Sequence, residues 1–346
     1  MNETEVTREG LLHERPAREA TTGVVAGRRR SREELMVEPA RFQSYYGMPV
    51  INKPVWASPD IPGYLFLGGL AGASSVLGAG AHLTGRRSLA RGGKVVAAGA
   101  ISLSLVALVH DLGRPARFLN MLRVFKPTSP MSVGSWLLAA YGPAAIVAAG
   151  TEATGLFPAI GGGATAGAAV LGPAVAAYTA ALISNTAVPA WHDGHREMPF
   201  VFVASSATAA GGAGLITSTL ADNAPARRLA VAGGTAEVVL SRALEHRLHP
   251  DVRKAYHEGK AKKFLQAAEL LTGTGIVGAL AAGRRSRIIA AASGAALLAG
   301  SACERFGIFW AGHGSSMDPA ATITPQRERL EAGSSRAARP GGTGRG

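Results

Sequence analysis

The sequence predicts an all-α polytopic membrane protein: about eight transmembrane helices in a bundle, with both termini on the same side. Three observations predict it. The 346 residues are 47% hydrophobic but only 17% charged and 6% aromatic, a balance unlike that of a soluble protein of this length. The charge gathers in the tails and in short connectors, leaving apolar blocks of roughly 20 residues, the length that crosses a ~30 Å hydrocarbon core at 1.5 Å per residue. Helices of a soluble core are shorter and carry a polar stripe.

Residues 1–43 alternate acids and bases with few large apolar side chains and read as a disordered charged tail. They contain no apolar signal core, so "GRRRSREELMVEP" is not a twin-arginine signal, and the first membrane helix serves as the insertion signal. Residues 44–60 read as an interfacial segment, because the prolines of "YYGMPVINKPVWASPDIPG" forbid a continuous helix and its aromatics suit the membrane–water boundary. The transmembrane domain, 61–306, divides into eight spans. They run Ile61 to Leu83, Gly93 to Leu112, Met131 to Thr151 and Gly161 to Ser184. The second four run Pro199 to Leu220, Arg227 to His246, Lys263 to Ala282 and Arg287 to Glu304. Pro143 and Pro173 break their spans. Ala and Gly dominate, and small-residue pairs such as Gly68/Gly72 allow close helix contact. Residues 307–346, polar and Gly/Arg-rich, read as a disordered C-terminal tail.

An even number of spans puts both termini on one side. The connectors there hold Arg114, Arg117, Arg123, Lys126, Arg196, Arg253, Lys254, Lys260 and Lys262, against Arg86, Arg87, Arg91, Arg284 and Arg285 opposite. The positive-inside rule makes that side cytoplasmic. All four tryptophans and eight of the nine histidines, His82 excepted, fall on it, which marks a working face.

Several function classes drop out. The +13 formal charge would suggest nucleic acid in a soluble protein, but these cations flank apolar spans and act as topology signals and contacts to membrane lipids. No nucleic-acid recognition module is present. The single cysteine, Cys303, excludes both an internal disulfide and an iron–sulfur cluster held by four thiolates of this chain. Haem is not expected, since the helix interiors hold almost no histidine for bis-imidazole ligation. His192, Asp193 and His195 lack the spacing of a metal site, so no metal is expected there; "AVPAWHDGHREMPF" reads instead as an amphipathic cap with Trp191 at the interface.

The chemistry gathers in "VHDLGRPARFLNMLRVFKPTSPMSVGSW", residues 109–136. His110 suits the C-terminus of the second helix and Asp111 does not, unless it pairs with Arg114 or Arg117. Gly113 permits a left-handed cap and Pro115 blocks further helix. Two readings stand: an ion-paired helix cap, or a His110–Asp111 proton relay at a membrane-edge ligand site. Within the bilayer, Glu237 and Glu269 are either a buried proton path or hydrogen-bonded structure.

"YLFLGGLAGAS", "HDLGRPARF", "SPMSVGSW" and the "VPAWHD" to "MPFVFVASS" stretch resemble the NrfD / polysulfide reductase membrane-subunit family, over roughly Pro54 to Trp310. The resemblance implies a cofactor-free eight-helix subunit of a bacterial cytoplasmic membrane, not catalytic alone. Such a subunit exchanges electrons between quinone or menaquinone and a four-cluster-type iron–sulfur subunit, which sits with a molybdopterin oxidoreductase subunit in anaerobic respiration. Carried onto this chain, the quinone site and its proton relay contain Tyr64, His110, Asp111 and Arg114. The first helix departs from expectation, offering only Ser74 and Ser75 as polar side chains within its span. Arg117, Arg123 and Lys126 form the basic docking surface for an acidic partner. The terminal substrate, whether formate, polysulfide, nitrite or another, belongs to the catalytic subunit. A membrane anchor without a quinone site and a secondary transporter are the alternatives; no repeat of the kind transporters show is visible.

Overall fold

A computed structural model describes residues 48–114, 116–281 and 285–337. The expected tail over 1–43, Pro115, Arg284 and residues 338–346 lie outside the described residues. All the regular elements among the described residues are helices, with no strand among them. In chain order the helices are α1 (Asp60–Leu83), α2 (Arg87–Asp111), α3 (Ala116–Met121), α4 (Pro130–Thr154), α5 (Pro158–Ser184) and α6 (Pro189–His192). They continue as α7 (Met198–Thr217), α8 (Ala224–Arg247), α9 (Pro250–Arg253), a 3₁₀ turn (Lys254–Tyr256), α10 (Gly259–Ala281), α11 (Arg287–Met317) and α12 (Pro319–Ala337).

Six of these, α1, α2, α4, α5, α7 and α10, are long and apolar enough to cross a membrane. Helices α8 and α11 are as long but carry more charge, including Arg227, Arg228, Glu237 and Arg242 on the first and Glu304 and Arg305 on the second. Residues 48–59 are irregular chain leading into α1, as the prolines there require.

The helix ends follow local chemistry. Ser129 and Ser286 cap α4 and α11 by accepting from the backbone N–H of Ser132 and Ile289. Gly155 closes α4 at φ +72° and Gly113 follows α2 at φ +69°, conformations open to a residue without Cβ. Pro143 and Pro173, expected to break their spans, do not: α4 and α5 run through them. Proline removes one backbone bond per helix, a loss these long helices absorb.

Packing sorts the long helices into two groups of four. Helices α1, α2, α4 and α5 pack together, as do α7, α8, α10 and α11, and the groups meet where α1 lies on α7 and α11 and α5 lies on α7. Helices α1 and α7 are accordingly the most buried of the apolar spans. The contacts are made by small residues. A Cβ on Gly72 would stand 2.3 Å from the carbonyl oxygen of Gly172 on α5, and one on Gly212 would stand 2.7 Å from that of Gly294 on α11. Helices in lipid associate through this backbone proximity, because apolar side chains gain little by leaving one apolar medium for another.

The C-terminal expectation is corrected. The eighth helix does not stop at Glu304 and the tail does not begin at 307; α11 continues to Met317 and α12 to Ala337. Gly307, Ile308, Phe309, Ala311 and Gly312 are buried, and Trp191 fills the space that Gly312 leaves open. Composition alone made this stretch resemble a tail, whereas a surface supplied from far away in the sequence folds it.

Candidate functional site at the amino end of the first helix

Asp60 opens α1 and His110 closes α2, each where the helix dipole favours its charge. The two meet: His110 Nδ1 lies 2.8 Å from Asp60 Oδ2. His110 is largely exposed, with 77% of its side chain open. Asp111 turns the other way, and its Oδ1 accepts the backbone N–H of Ala57 at 3.1 Å. The expected pairing of Asp111 with Arg114 or Arg117 is therefore replaced by a bond to the interfacial segment. Arg114 is exposed, and Arg117 Nη1 donates instead to the Leu112 carbonyl at 3.1 Å, capping α2.

One helical turn below Asp60 stands Tyr64, on the same face of α1. It is buried, its hydroxyl hydrogen-bonds the hydroxyl of Tyr178 on α5, and its carbonyl accepts from Ser104 Oγ of α2 at 3.2 Å. Deeper still, Ser75 Oγ and Tyr141 OH of α4 lie 2.7 Å apart. The arrangement descends from an exposed acid–imidazole pair to two buried phenols, each able to donate or accept.

Beside it runs the basic connector. Arg117, Arg123 and Lys126 are exposed along with Leu119, Val124 and Phe125. Ser132 and Trp136 of α4 pin its far end: Ser132 Oγ accepts from Lys126 N at 2.9 Å and donates to Val124 O at 3.0 Å, and Trp136 Nε1 donates to Val124 O at 3.4 Å.

A second polar cluster lies in the second group of helices, against α7. Glu237 of α8 and Glu304 and Arg305 of α11 are all buried. Arg305 interacts electrostatically with both carboxylates; its Nη2 donates to the Phe202 carbonyl at 2.6 Å, and its guanidinium lies 3.8 Å from the Phe202 ring centroid. Ser241 Oγ donates to Glu304 at 2.7 Å, while Glu237 Oε2 has no partner among the described residues. A cavity of about 350 Å³ reaches both carboxylates, with Glu245, His257 and Lys262 also in its wall. Glu269, expected to be buried, lines this cavity as an exposed residue paired with Arg242. Its place on α10, the least buried of the apolar spans, explains the difference.

The sequence reading missed Asp60, Tyr178, Glu304 and Arg305. The signal for the last two was present, as two adjacent charges behind an apolar block; cutting the span at Glu304 hid it. It also missed a buried ion pair at the opposite end, Lys94 Nζ to Glu152 at 2.7 Å, with His82 Nδ1 3.4 Å away. Trp191, expected at the interface, is core: its Nε1 donates to the Ile308 carbonyl at 2.8 Å. His192 and His195 bond backbone carbonyls, and no cluster of metal-ligating side chains occurs among the described residues.

A family model described as polysulphide reductase, NrfD matches residues 49–233. The chain belongs to the NrfD family. The match covers α1 to α7, the amino end of α1 with its Asp60–His110 pair, and the first part of α8. The apolar helices and the family together make this NrfD chain a multi-pass membrane protein. Glu237, Glu304 and Arg305 lie beyond the matched residues. Neither a curated protein nor a solved structure matches the chain.

Proposed function

We propose that this chain is the quinone-interacting membrane subunit of an oxidoreductase complex. It spans the bacterial cytoplasmic membrane eight times, α8 and α11 included, with both termini cytoplasmic. It exchanges electrons between menaquinone and a four-cluster-type iron–sulfur subunit that serves a molybdopterin enzyme. The observation that carries the reading is the amino end of α1, where the Asp60–His110 pair, the Asp111 anchor and the Tyr64–Tyr178 hydroxyls stand within a turn of one another. Reducing a quinone takes two protons with two electrons, and its carbonyls need hydrogen-bond donors. Tyr64 supplies a buried donor and Tyr178 a half-buried one, and the exposed His110 exchanges protons with water while Asp60 holds its ring. Asp111 fixes the interfacial segment over the site through Ala57. Trp56, the next residue back, lines a groove of about 520 Å³ with Val188 and Trp191, room for a flat head group. Arg114 supplies positive charge at the rim, and Arg117, Arg123 and Lys126 with exposed Phe125 form the face that docks the iron–sulfur partner.

The buried cluster is the proton route in the same reading. Two carboxylates facing one guanidinium leave one negative charge in excess, which a single proton cancels, and uncompensated charge is costly at this depth. Glu269 with Arg242 stands at the mouth of the cavity leading there.

One experiment tests both halves: the complex reconstituted into vesicles, with quinone-coupled turnover and proton uptake read together. Tyr64→Phe and His110→Ala are expected to assemble and to lower turnover by roughly a hundredfold, the scale of a lost proton-transfer group. Glu304→Gln is expected to lower protons moved per turnover. Normal turnover in the first two variants would leave the chain an anchor without a quinone site.

A further inference from the structure

We infer that His257 and Glu245 form the proton entrance of the cavity that reaches Glu237 and Glu304, an inference that rests on the buried proton route proposed above. His257 lies in the connector ahead of α10, with 59% of its side chain open, and its Nε2 stands 3.1 Å from Oε2 of Glu245 on the last turn of α8, which is 26% open. Both line the cavity of about 350 Å³ whose wall also holds the buried Glu237, Thr272 and Glu304. Helix order puts the pair at the His110 end of the bundle, the cytoplasmic end in the proposed reading.

The α8 sequence builds the way in. Glu237, Ser241 and Glu245 are four residues apart, so they stand in a row on one face of the helix with a rise of about 6 Å from one to the next. Ser241 Oγ donates to Glu304 at 2.7 Å, and Glu304 interacts electrostatically with both Glu237 and Glu245. A carboxylate at the rim, a hydroxyl and two buried carboxylates thus follow one another into the bundle. Glu237 Oε2 and Thr272 Oγ1 are buried without a hydrogen-bond partner among the described residues. A polar cavity of this volume holds several waters at about 30 Å³ each, and water satisfies such groups.

Chemistry singles out His257 among the groups of the rim. Arg242, bound to Glu269, keeps its proton at any ordinary pH, and Lys262 is a cation on an exposed, flexible stem. Tyr256 is buried, with its hydroxyl proton committed to the Ala190 carbonyl at 2.8 Å. An imidazole takes and gives protons near neutral pH and does so at two nitrogens. A proton taken from a buffer acid at Nδ1 of His257 is matched by one that leaves Nε2 for the Glu245 carboxylate. A turn of the ring resets it, and water carries the proton past Ser241 to Glu304.

The complex in sealed vesicles, with proton uptake followed by a pH dye at saturating menaquinone, tests the inference. His257→Ala and Glu245→Gln are expected to assemble, shown by co-elution of the partner subunits, and to slow proton uptake roughly tenfold. That is less than the roughly hundredfold cost of a lost proton-transfer group, because water still reaches the cavity. Added imidazole is expected to restore uptake in His257→Ala and not in Glu245→Gln. His195→Ala, which removes an exposed histidine from another connector, is expected to leave uptake unchanged. Normal uptake in His257→Ala and Glu245→Gln, with fewer protons moved per turnover in Glu304→Gln, would overturn the entrance and leave the route standing. Slow uptake in His257→Ala that imidazole does not restore would make the residue structural and overturn the entrance as well. Protons per turnover unchanged in Glu304→Gln would remove the route, and the entrance with it.

Discussion

Asp222 reaches across 134 positions of chain to accept both the backbone N–H of Ser88 at 3.0 Å and its hydroxyl at 2.6 Å. It caps α2 from the α7–α8 connector, doing for that helix what no neighbouring residue does. The Ser88 hydroxyl, the Ser88 N–H and the Arg86 charge hold the Asp222 carboxyl below its ordinary value. A carboxylate with a lowered folded pKa adds stability that is present above its unfolded pKa and disappears as pH falls through the folded one. Asp222→Asn is therefore expected to destabilise by about 1 kcal/mol at pH 7. The gap to the unaltered protein should begin to narrow below about pH 4, where the unfolded carboxyl protonates first, and go on closing as pH falls through the lower folded value; denaturation of both proteins at pH 7 and at pH 3 reads it. A gap unchanged between the two would mean that the carboxylate charge is irrelevant. At this scale the sequence was only partly readable. His110 and Glu237 stood out because a titratable group in an apolar context needs a reason. Asp60 and Tyr178 did not, since an acid among prolines and a tyrosine in an alanine run become notable only when folding gives them partners.

Helices were the most legible level, because apolar block length answers directly to membrane thickness. What composition could not show is where a helix stops when its last turns are buried by remote residues, as α11 is by Trp191. Nor could it show that Pro143 and Pro173 sit inside continuous helices. The glycines were legible as a class, but only the fold separates those that matter. Gly72 touches the backbone of Gly172, while Gly80, eight residues along α1, has nothing within 4 Å of a Cβ. Gly72→Ala is expected to force α1 and α5 apart and to lower the yield of monodisperse protein by size-exclusion in mild detergent. Gly80→Ala should leave that yield unchanged. Equal yields would show that the α1–α5 crossing is not set by backbone contact.

Across the whole molecule, the two groups of four helices give each polar feature its place. The first group holds the Asp60–His110 pair above Tyr64 and Tyr178; Glu237, Glu304 and Arg305 stand in the second, against α7 where the groups meet. Membrane character and family could be read from the chain because they rest on block length and on contiguous motifs. The pairing of carboxylates with Arg305 could not, since Glu237 and Glu304 come together only after the 66 residues between them have folded back. The central claim is that the amino end of α1 holds a quinone head group. The most direct measurement is photolabelling of the purified complex with a photoreactive menaquinone analogue, followed by mapping of the labelled peptides by mass spectrometry. The account predicts label within residues 54–68, 104–114 or around Tyr178, displaced by excess menaquinone. Label confined to α8, α10 and α11, or label that menaquinone does not displace, would contradict it.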